Sequence, residues 1–177
     1  MRHIYLILGL LIVLLGIVAF VWEAPLTAGA TGLPHATIDG MKVGGDAAAR
    51  LDALGNAPYF MQLIVIALVA ILYDFSLPAH RRIRAARVGF TLLALAAAAV
   101  WTAIWFGYRA AVGGDEPAIV LGFPWPSTVA IWGVWGSMLA FDLFYVWGFR
   151  RFILHADDEA AFAALVAEMK AERGEGA

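Results

Sequence analysis

Two carboxylates, Asp74 and Asp142, lie inside long apolar segments of this 177-residue chain. A carboxylate within a bilayer is energetically costly and needs a partner or water, which makes it a functional candidate by default. Asp74 lies about one helical turn before Pro78 and close to Arg81, so we expect it to form a structural ion pair near the lipid headgroups. Asp142 lies eight residues before Arg150, roughly 12 Å along a helix, and is therefore the deeper acid.

Three kinds of partner would satisfy Asp142: an arginine of the basic segment that follows Pro78, a tyrosine hydroxyl such as that of Tyr73, or a residue of a partner subunit. A proton relay is the alternative role for this acid, but no second deep acid, histidine or lysine accompanies it. Tyr145, three residues further along, completes the set of polar candidates within the apolar segments.

The residues needed for other chemistry are missing or scattered. None of the four histidines lies in the middle of an apolar segment, so a haem within the membrane would have no axial ligand. No cluster has the spacing of a metal site, and the absence of cysteine removes disulfides, iron–sulfur clusters and cysteine nucleophiles. Hydrolase, phosphate-loop and zinc-protease motifs are also absent. We therefore expect no cofactor, no metal and no catalytic residue, and hence a protein that is not an enzyme.

The composition is that of a membrane protein. Hydrophobic residues make up 63% of the chain and charged residues 15%, against about 45–50% and about 25% in soluble domains. Mean hydropathy is +0.81. A formal net charge of −2 argues against a nucleic-acid partner, and the apolar composition makes the lipid bilayer an expected partner. A larger polytopic membrane protein is the other expected partner, and it is implied by the family resemblance given below.

Four apolar runs are long enough to cross the hydrocarbon core, which takes about 20 helical residues. They cover residues 4–22, 59–77, 88–108 and 129–149. The sequence therefore predicts an all-α membrane protein, with four transmembrane helices in residues 1–154 and a cytoplasmic amphipathic helix and tail in residues 155–177. The first run also fits a signal peptide with a small-residue cleavage site at residues 28–30, but it exceeds a typical signal core, so we expect an uncleaved helix.

The connection from Glu23 to Pro58 is long for a simple link between two helices. Within it, Asp46 is a suitable N-cap, residues 47–54 favour a short helix, and Gly55 is a suitable stop. The connection either docks on a partner or covers the outer face of this chain's own bundle.

Lysine and arginine are divided unevenly between the two ends of the predicted helices. One end has nine and the other three, so the positive-inside rule predicts a multi-pass protein of the bacterial inner membrane with both termini in the cytoplasm. Four tryptophans then form a belt near the outer interface, namely Trp22, Trp101, Trp105 and Trp125. The basic residues expected at the inner membrane surface are Arg81, Arg82, Arg84, Arg87, Arg150 and Arg151.

Residues 155–173 are predicted to leave the membrane as a helix. Asp157 and Asp158 lie at its start, where negative charge suits the helix dipole. Apolar side chains recur on one face of this helix, and they either lie on the inner membrane surface or bind a partner. This stripe consists of Phe162, Leu165, Val166 and Met169.

The last apolar run carries two rows of small residues. Gly133 and Ser137 are four apart, and so are Gly136 and Ala140, which is the spacing of closely packed membrane helices. Packing inside the chain's own bundle explains one row easily and two rows less easily. Both rows are candidate partner interfaces, and replacing Gly133 and Ser137 by leucine is expected to weaken assembly.

The loop and charges around this run point to a family. Gly122-Phe123-Pro124, continued by Trp125 and Pro126, leads into the run, Tyr145 lies late in it, and charged residues follow at its end. This pattern resembles the small membrane subunit that accompanies certain sodium:solute symporters. The resemblance covers residues 84–159, while the first two runs have no counterpart, and Ser127-Thr128 stands where the family has glutamine.

The resemblance implies an accessory subunit that supports a larger transporter and performs no chemistry of its own. Residues 122–126 would belong to the partner interface. One alternative is the small four-helix subunit of a binding-protein-dependent secondary transporter, although the long first connection does not look like that subunit. Another is a lipid- or quinone-contacting accessory subunit of a respiratory or other electron-transfer complex.

Overall fold

The computed structural model describes residues 2–25, 27, 32–78 and 84–174. Within these ranges, four helical segments are long and apolar enough to cross a membrane, which confirms the predicted all-helical class and the number of membrane-length helices. Helices suit this environment because every backbone polar group is bonded within the segment. The four are α1 (Arg2–Glu23), α3 (Ala57–Ser76), α4 (Arg84–Val112) and the continuous segment Trp125–Phe152.

The fourth segment has three parts. Its first turn is α5 (Trp125–Thr128), a wider π-helical stretch covers Val129–Gly133, and α6 (Val134–Phe152) completes it. The helix therefore starts four residues before the predicted boundary at 129 and ends three after the predicted boundary at 149. Two short antiparallel hairpins lie in the connections: β1 (Leu33–Pro34) pairs with β2 (Lys42–Val43), and β3 (Ile119–Val120) with β4 (Phe123–Pro124).

The short helix predicted in the first connection is present as α2 (Ala47–Leu54). The Asp46 carboxylate accepts a hydrogen bond from the backbone N–H of Ala49 at 3.0 Å, which satisfies one of the free donors at the helix start. Gly55 ends the helix with φ +55°, and its N–H donates to the carbonyl of Leu51. Because α2 contacts α4, part of the long connection covers the chain's own bundle.

Asp46→Ala is expected to destabilise α2 locally by about 1 kcal/mol, because the cap donors lose their acceptor. The measurement is hydrogen exchange of the amides of residues 47–54 in detergent, which should become roughly fivefold faster. Asp52→Ala, an exposed acid on the same helix, is the matched control. Equal exchange rates in the two variants would show that the cap contributes nothing.

The bundle is built around α4, which packs against α3 on one side and α6 on the other. We call the end where α3 stops and α4 starts the arginine end, and the end where α4 stops and α5 starts the loop end. A core cluster of buried side chains joins α4 and α6 at the arginine end. It consists of Leu77, Ala86, Phe90, Phe141 and Phe152.

Helix α1 packs against α3 and has no buried residue within its membrane-length stretch. Gly9 and Gly16 lie seven residues apart, the spacing of a helix-packing face. A Cβ added at either glycine would meet nothing within 4 Å, so this face points away from the described bundle.

After the membrane segments, α7 (Ala156–Glu172) forms the predicted C-terminal helix. Its first turn is capped by the Asp158 carboxylate, which accepts from the backbone N–H of His155 at 3.0 Å. Arg150 donates to Glu159 at 2.6 Å and thereby links α6 to α7. Phe162, Leu165 and Met169 are exposed, and the amphipathic role of their stripe stays a prediction.

Candidate functional site

Asp142 and Tyr73 form a hydrogen-bonded pair between α6 and α3. The Tyr73 hydroxyl donates to Oδ1 of Asp142 at 2.8 Å. The Tyr73 ring stacks against Phe90 and Phe141, with ring centroids 5.4 Å from each. Of the three partners expected for Asp142, the tyrosine is present, and its ring packs against two rings of the core cluster.

Asp142 is nevertheless exposed, although it lies ten residues before the end of α6. Tyr145 contacts the pair through its ring, which packs edge-on against Tyr73 at 5.6 Å. A carboxylate has about four lone-pair positions for donors, and the Tyr73 hydroxyl occupies one. The pair therefore presents hydrogen-bonding capacity on a helix surface that is otherwise apolar.

Asp74 is a different kind of acid, only 9% exposed at the arginine end of α3. The guanidinium Nε of Arg87 lies 3.5 Å from its Oδ1, and among the described residues this oxygen accepts no hydrogen bond. The contact is thus an ion pair between α3 and the first turn of α4. Asp74 forms this ion pair with Arg87, whereas the expected neighbour Arg81 lies outside the described residues, as does Arg82 of the basic segment.

A cleft of about 90 Å³ opens beside the Asp142–Tyr73 pair, between α3, α4 and α6. Gln62 and Trp101 line it towards the loop end, and Ser137 lies on its α6 wall. Gln62 and Tyr73 are eleven residues apart on α3, so the cleft extends roughly 16 Å along the helix. Its remaining walls are mostly apolar: Val65, Ile66, Val69, Ala97, Val100, Val134, Met138 and Phe141.

Gln62 also belongs to this site, but it was not among the polar residues predicted from the sequence. The sequence does contain a signal, because Gln62 is an amide within the predicted span 59–77, three residues from its start, where an apolar side chain would be expected. Polar side chains at such positions commonly bond across helices or face a cavity. Gln62 lines the cleft and is half-buried, which fits the second of these roles.

The two rows of small residues in the fourth segment face different surroundings. Gly133 lies against α4, where an added Cβ would be 2.8 Å from a methyl of Val100. Ser137 lines the cleft and donates to the carbonyl of Val134 at 2.8 Å. Gly136 is open, with nothing within 4 Å of an added Cβ, and Ala140 lines a shallow groove on another side of α6. Gly133 therefore serves the chain's own bundle, whereas Ser137 of the same row faces the cleft, and replacing Gly133 tests the bundle before it tests a partner.

Gly133→Leu is expected to destabilise the protein by about 1–3 kcal/mol, because β-branched Val100 cannot move aside without strain. Gly136→Leu should leave stability unchanged or slightly higher, since leucine has the better helix propensity and the space is open. Thermal unfolding of the two variants in the same detergent makes the comparison. Equal stability of both variants would contradict the assignment of Gly133 to the α4 contact.

The loop that carries the family pattern is a tight hairpin. Leu121 and Gly122 form its turn with φ +52° and +83°, conformations that glycine adopts easily and leucine rarely. Thr128 donates to the carbonyl of Val120 at 2.7 Å and ties the hairpin to α5. The hairpin displays apolar side chains to the outside, with Ile119, Val120, Leu121 and Phe123 all exposed.

Trp125 and Pro126 pack inward instead, against the backbone of α4. They lie directly over Gly107, where an added Cβ would collide with the Trp125 ring. Within residues 122–126, the turn and Phe123 are thus open to a partner, whereas Trp125 and Pro126 fasten the loop to the bundle.

The predicted tryptophan belt is only partly a lipid-facing feature. Trp22 is exposed, but Trp105 is 5% exposed and packs beside Tyr59. Trp101 donates to the backbone carbonyl of Tyr59 at 3.2 Å. Aromatic side chains at this level therefore join α3 to α4 as well as marking the interface.

The described arginines near the membrane surface are all exposed, and two of them have acidic partners. These partners are Asp74 for Arg87 and Glu159 for Arg150. Arg84 and Arg151 are also exposed. Among the described residues, no group of three or more histidines and carboxylates is arranged to hold a metal ion. No protein-family model, curated protein or solved structure matches this chain.

Proposed function

We propose that this chain is a non-catalytic accessory subunit of a membrane transport complex, of the sodium:solute symporter type. The observation that supports it most is the exposure of Asp142 within a membrane-length helix. An ionisable side chain at this depth almost always faces protein or water, because exposure to hydrocarbon is costly. Among the described residues, Tyr73 is the one that donates a side-chain hydrogen bond to the Asp142 carboxylate, and Asp142 stays exposed.

The hairpin at the loop end supports the same proposal. It is tied down by Thr128 and Trp125, yet it presents exposed apolar side chains from a turn that contains Leu121 at positive φ. A rigid loop with an apolar tip suits contact with another membrane protein, because little conformational entropy is lost on binding. The sequence of this loop, Gly122-Phe123-Pro124, resembles the corresponding loop of the symporter-associated subunit.

In the proposed arrangement the protein spans the bacterial inner membrane four times, with both termini in the cytoplasm. The charge asymmetry supports this orientation, since Arg84, Arg87, Arg150 and Arg151 all lie at the arginine end. Helix α7 then lies on the cytoplasmic side, and the hairpin faces the opposite side.

Blue-native electrophoresis of native membranes solubilised in mild detergent tests the proposal. The tagged chain, 19.1 kDa alone, should migrate in a much larger complex that contains at least one other polytopic protein. A denaturing second dimension separates the components, and harsh detergent treatment is the control for dissociation. A band that resolves into this chain alone would overturn the proposal.

A further inference from the structure

We infer that a transmembrane helix of the partner packs over the cleft between α3, α4 and α6, fills it with side chains, and places a lysine or arginine side chain beside Asp142. The inference rests on the proposed function and identifies the surface and the chemistry of the contact. Three features carry it: the open carboxylate, its depth, and the polar and small residues along the cleft.

The charge of Asp142 calls for a basic partner. Tyr73 donates one neutral hydrogen bond to it, which compensates only part of the cost of an ionised carboxylate in apolar surroundings. Among the described residues, the ion pairs are Arg87 with Asp74, Arg150 with Glu159 and His155 with Asp157, so no described arginine pairs with Asp142. A lysine or arginine from outside would form a charge-assisted bond, which is stronger than a neutral one.

The depth of Asp142 favours a helix over a lipid headgroup. Asp142 lies roughly 12 Å along the helix from Arg150, while half of the hydrocarbon core is about 15 Å thick. The amine of a phospholipid headgroup stays at the surface and does not reach this level. A basic side chain on a neighbouring helix starts inside the membrane and reaches Asp142 directly.

The shape of the cleft also fits a helix. It runs along α3 for about three helical turns, from Gln62 to Tyr73, which corresponds to one ridge of a packed helix. Ala97 and Ser137 on its walls allow close approach of a backbone. Gln62 offers an amide for a second hydrogen bond near the loop end. The Asp142 carboxylate and the Gln62 amide would together set the register of the partner helix.

Site-specific photocrosslinking in native membranes tests the inference. A benzoylphenylalanine replaces Met138, which lines the cleft and is 56% exposed, or Trp147, which is 93% exposed and lines the groove on another side of α6. Both positions are exposed, so neither probe disturbs the core. We expect the Met138 probe to capture a partner peptide from a membrane span that contains lysine or arginine, with at least a tenfold higher yield than the Trp147 probe.

Each other outcome overturns the inference in an identifiable way. Lipid adducts alone at Met138 would show that the cleft faces the bilayer, and adducts with this same chain would show self-association. A captured span without a basic residue would overturn the charge pairing, and capture at Trp147 alone would move the contact to the other face. In all four cases, migration of the chain in a large complex on native gels would still support the accessory role. Migration of the chain alone would instead contradict the proposed function itself.

Discussion

Asp142→Lys is expected to reduce recovery of the partner by at least tenfold when the tagged chain is purified in mild detergent. A lysine here would face the partner's basic side chain, so an attraction becomes a repulsion. Tenfold corresponds to about 1.4 kcal/mol, a modest share of what a close charge pair contributes in a desolvated contact. The measurement is the ratio of partner to tagged chain by quantitative mass spectrometry.

Two variants separate charge from general damage in this experiment. Asp142→Asn keeps an oxygen that can accept from Tyr73 but loses the charge, so its loss of partner should be smaller than that of Asp142→Lys. Glu168→Lys makes the same charge change on an exposed position of α7 and should leave recovery unchanged. A partner ratio that is unaffected in Asp142→Lys would contradict the role of the carboxylate in assembly.

Phe90→Ala is expected to cause the largest loss of stability among single substitutions in the bundle. Phe90 is 2% exposed and its ring contacts those of Tyr73, Phe141 and Phe144. Removing a buried aromatic ring costs about 3–5 kcal/mol in soluble cores. We expect about 2–3 kcal/mol here, because the separated helices of a membrane protein remain in apolar surroundings and only the packing part is lost.

Thermal unfolding in detergent measures this effect, and Phe20→Ala is the matched control. Phe20 lies on α1 and is exposed, so its removal should change stability by less than about 0.5 kcal/mol. Because Phe90 also supports the Tyr73 ring, the variant should weaken partner recovery as well. Equal stability of the two variants would show that the core cluster does not hold α4 and α6 together.

The membrane segments could be predicted because their signal is local. Apolar runs of about 20 residues indicate spans wherever they occur, and the Asp46 and Gly55 caps of α2 are read from a few neighbouring residues. The boundaries of the last span were less accurate. Residues 125–128, Trp-Pro-Ser-Thr, contain a proline and two hydroxyl side chains and lie before the apolar run, yet they form the first turn of the helix. Proline is well suited to the start of a helix, where its missing N–H is not needed.

The candidate site depended on long-range packing, which residue types alone cannot determine. Tyr73 and Asp142 are 69 positions apart, and the residue types leave a tyrosine, an arginine and a partner subunit as three open possibilities for the acid. The identity of Arg87 as the partner of Asp74 depends on how α4 starts against the end of α3. Gly133 and Gly136 likewise look equivalent in sequence, and only the position of Val100 separates them.

In the proposed function this chain works as part of a larger transport complex. The most direct test is to purify the tagged wild-type chain from native membranes and to identify the co-purifying proteins by mass spectrometry. We expect one polytopic secondary transporter in fixed stoichiometry with this chain. Co-purifying subunits of an electron-transfer complex would favour the electron-transfer alternative instead. A large subunit together with a separate solute-binding protein would favour the binding-protein-dependent transporter. Recovery of the chain by itself, as a monomer or homo-oligomer, would contradict the account altogether.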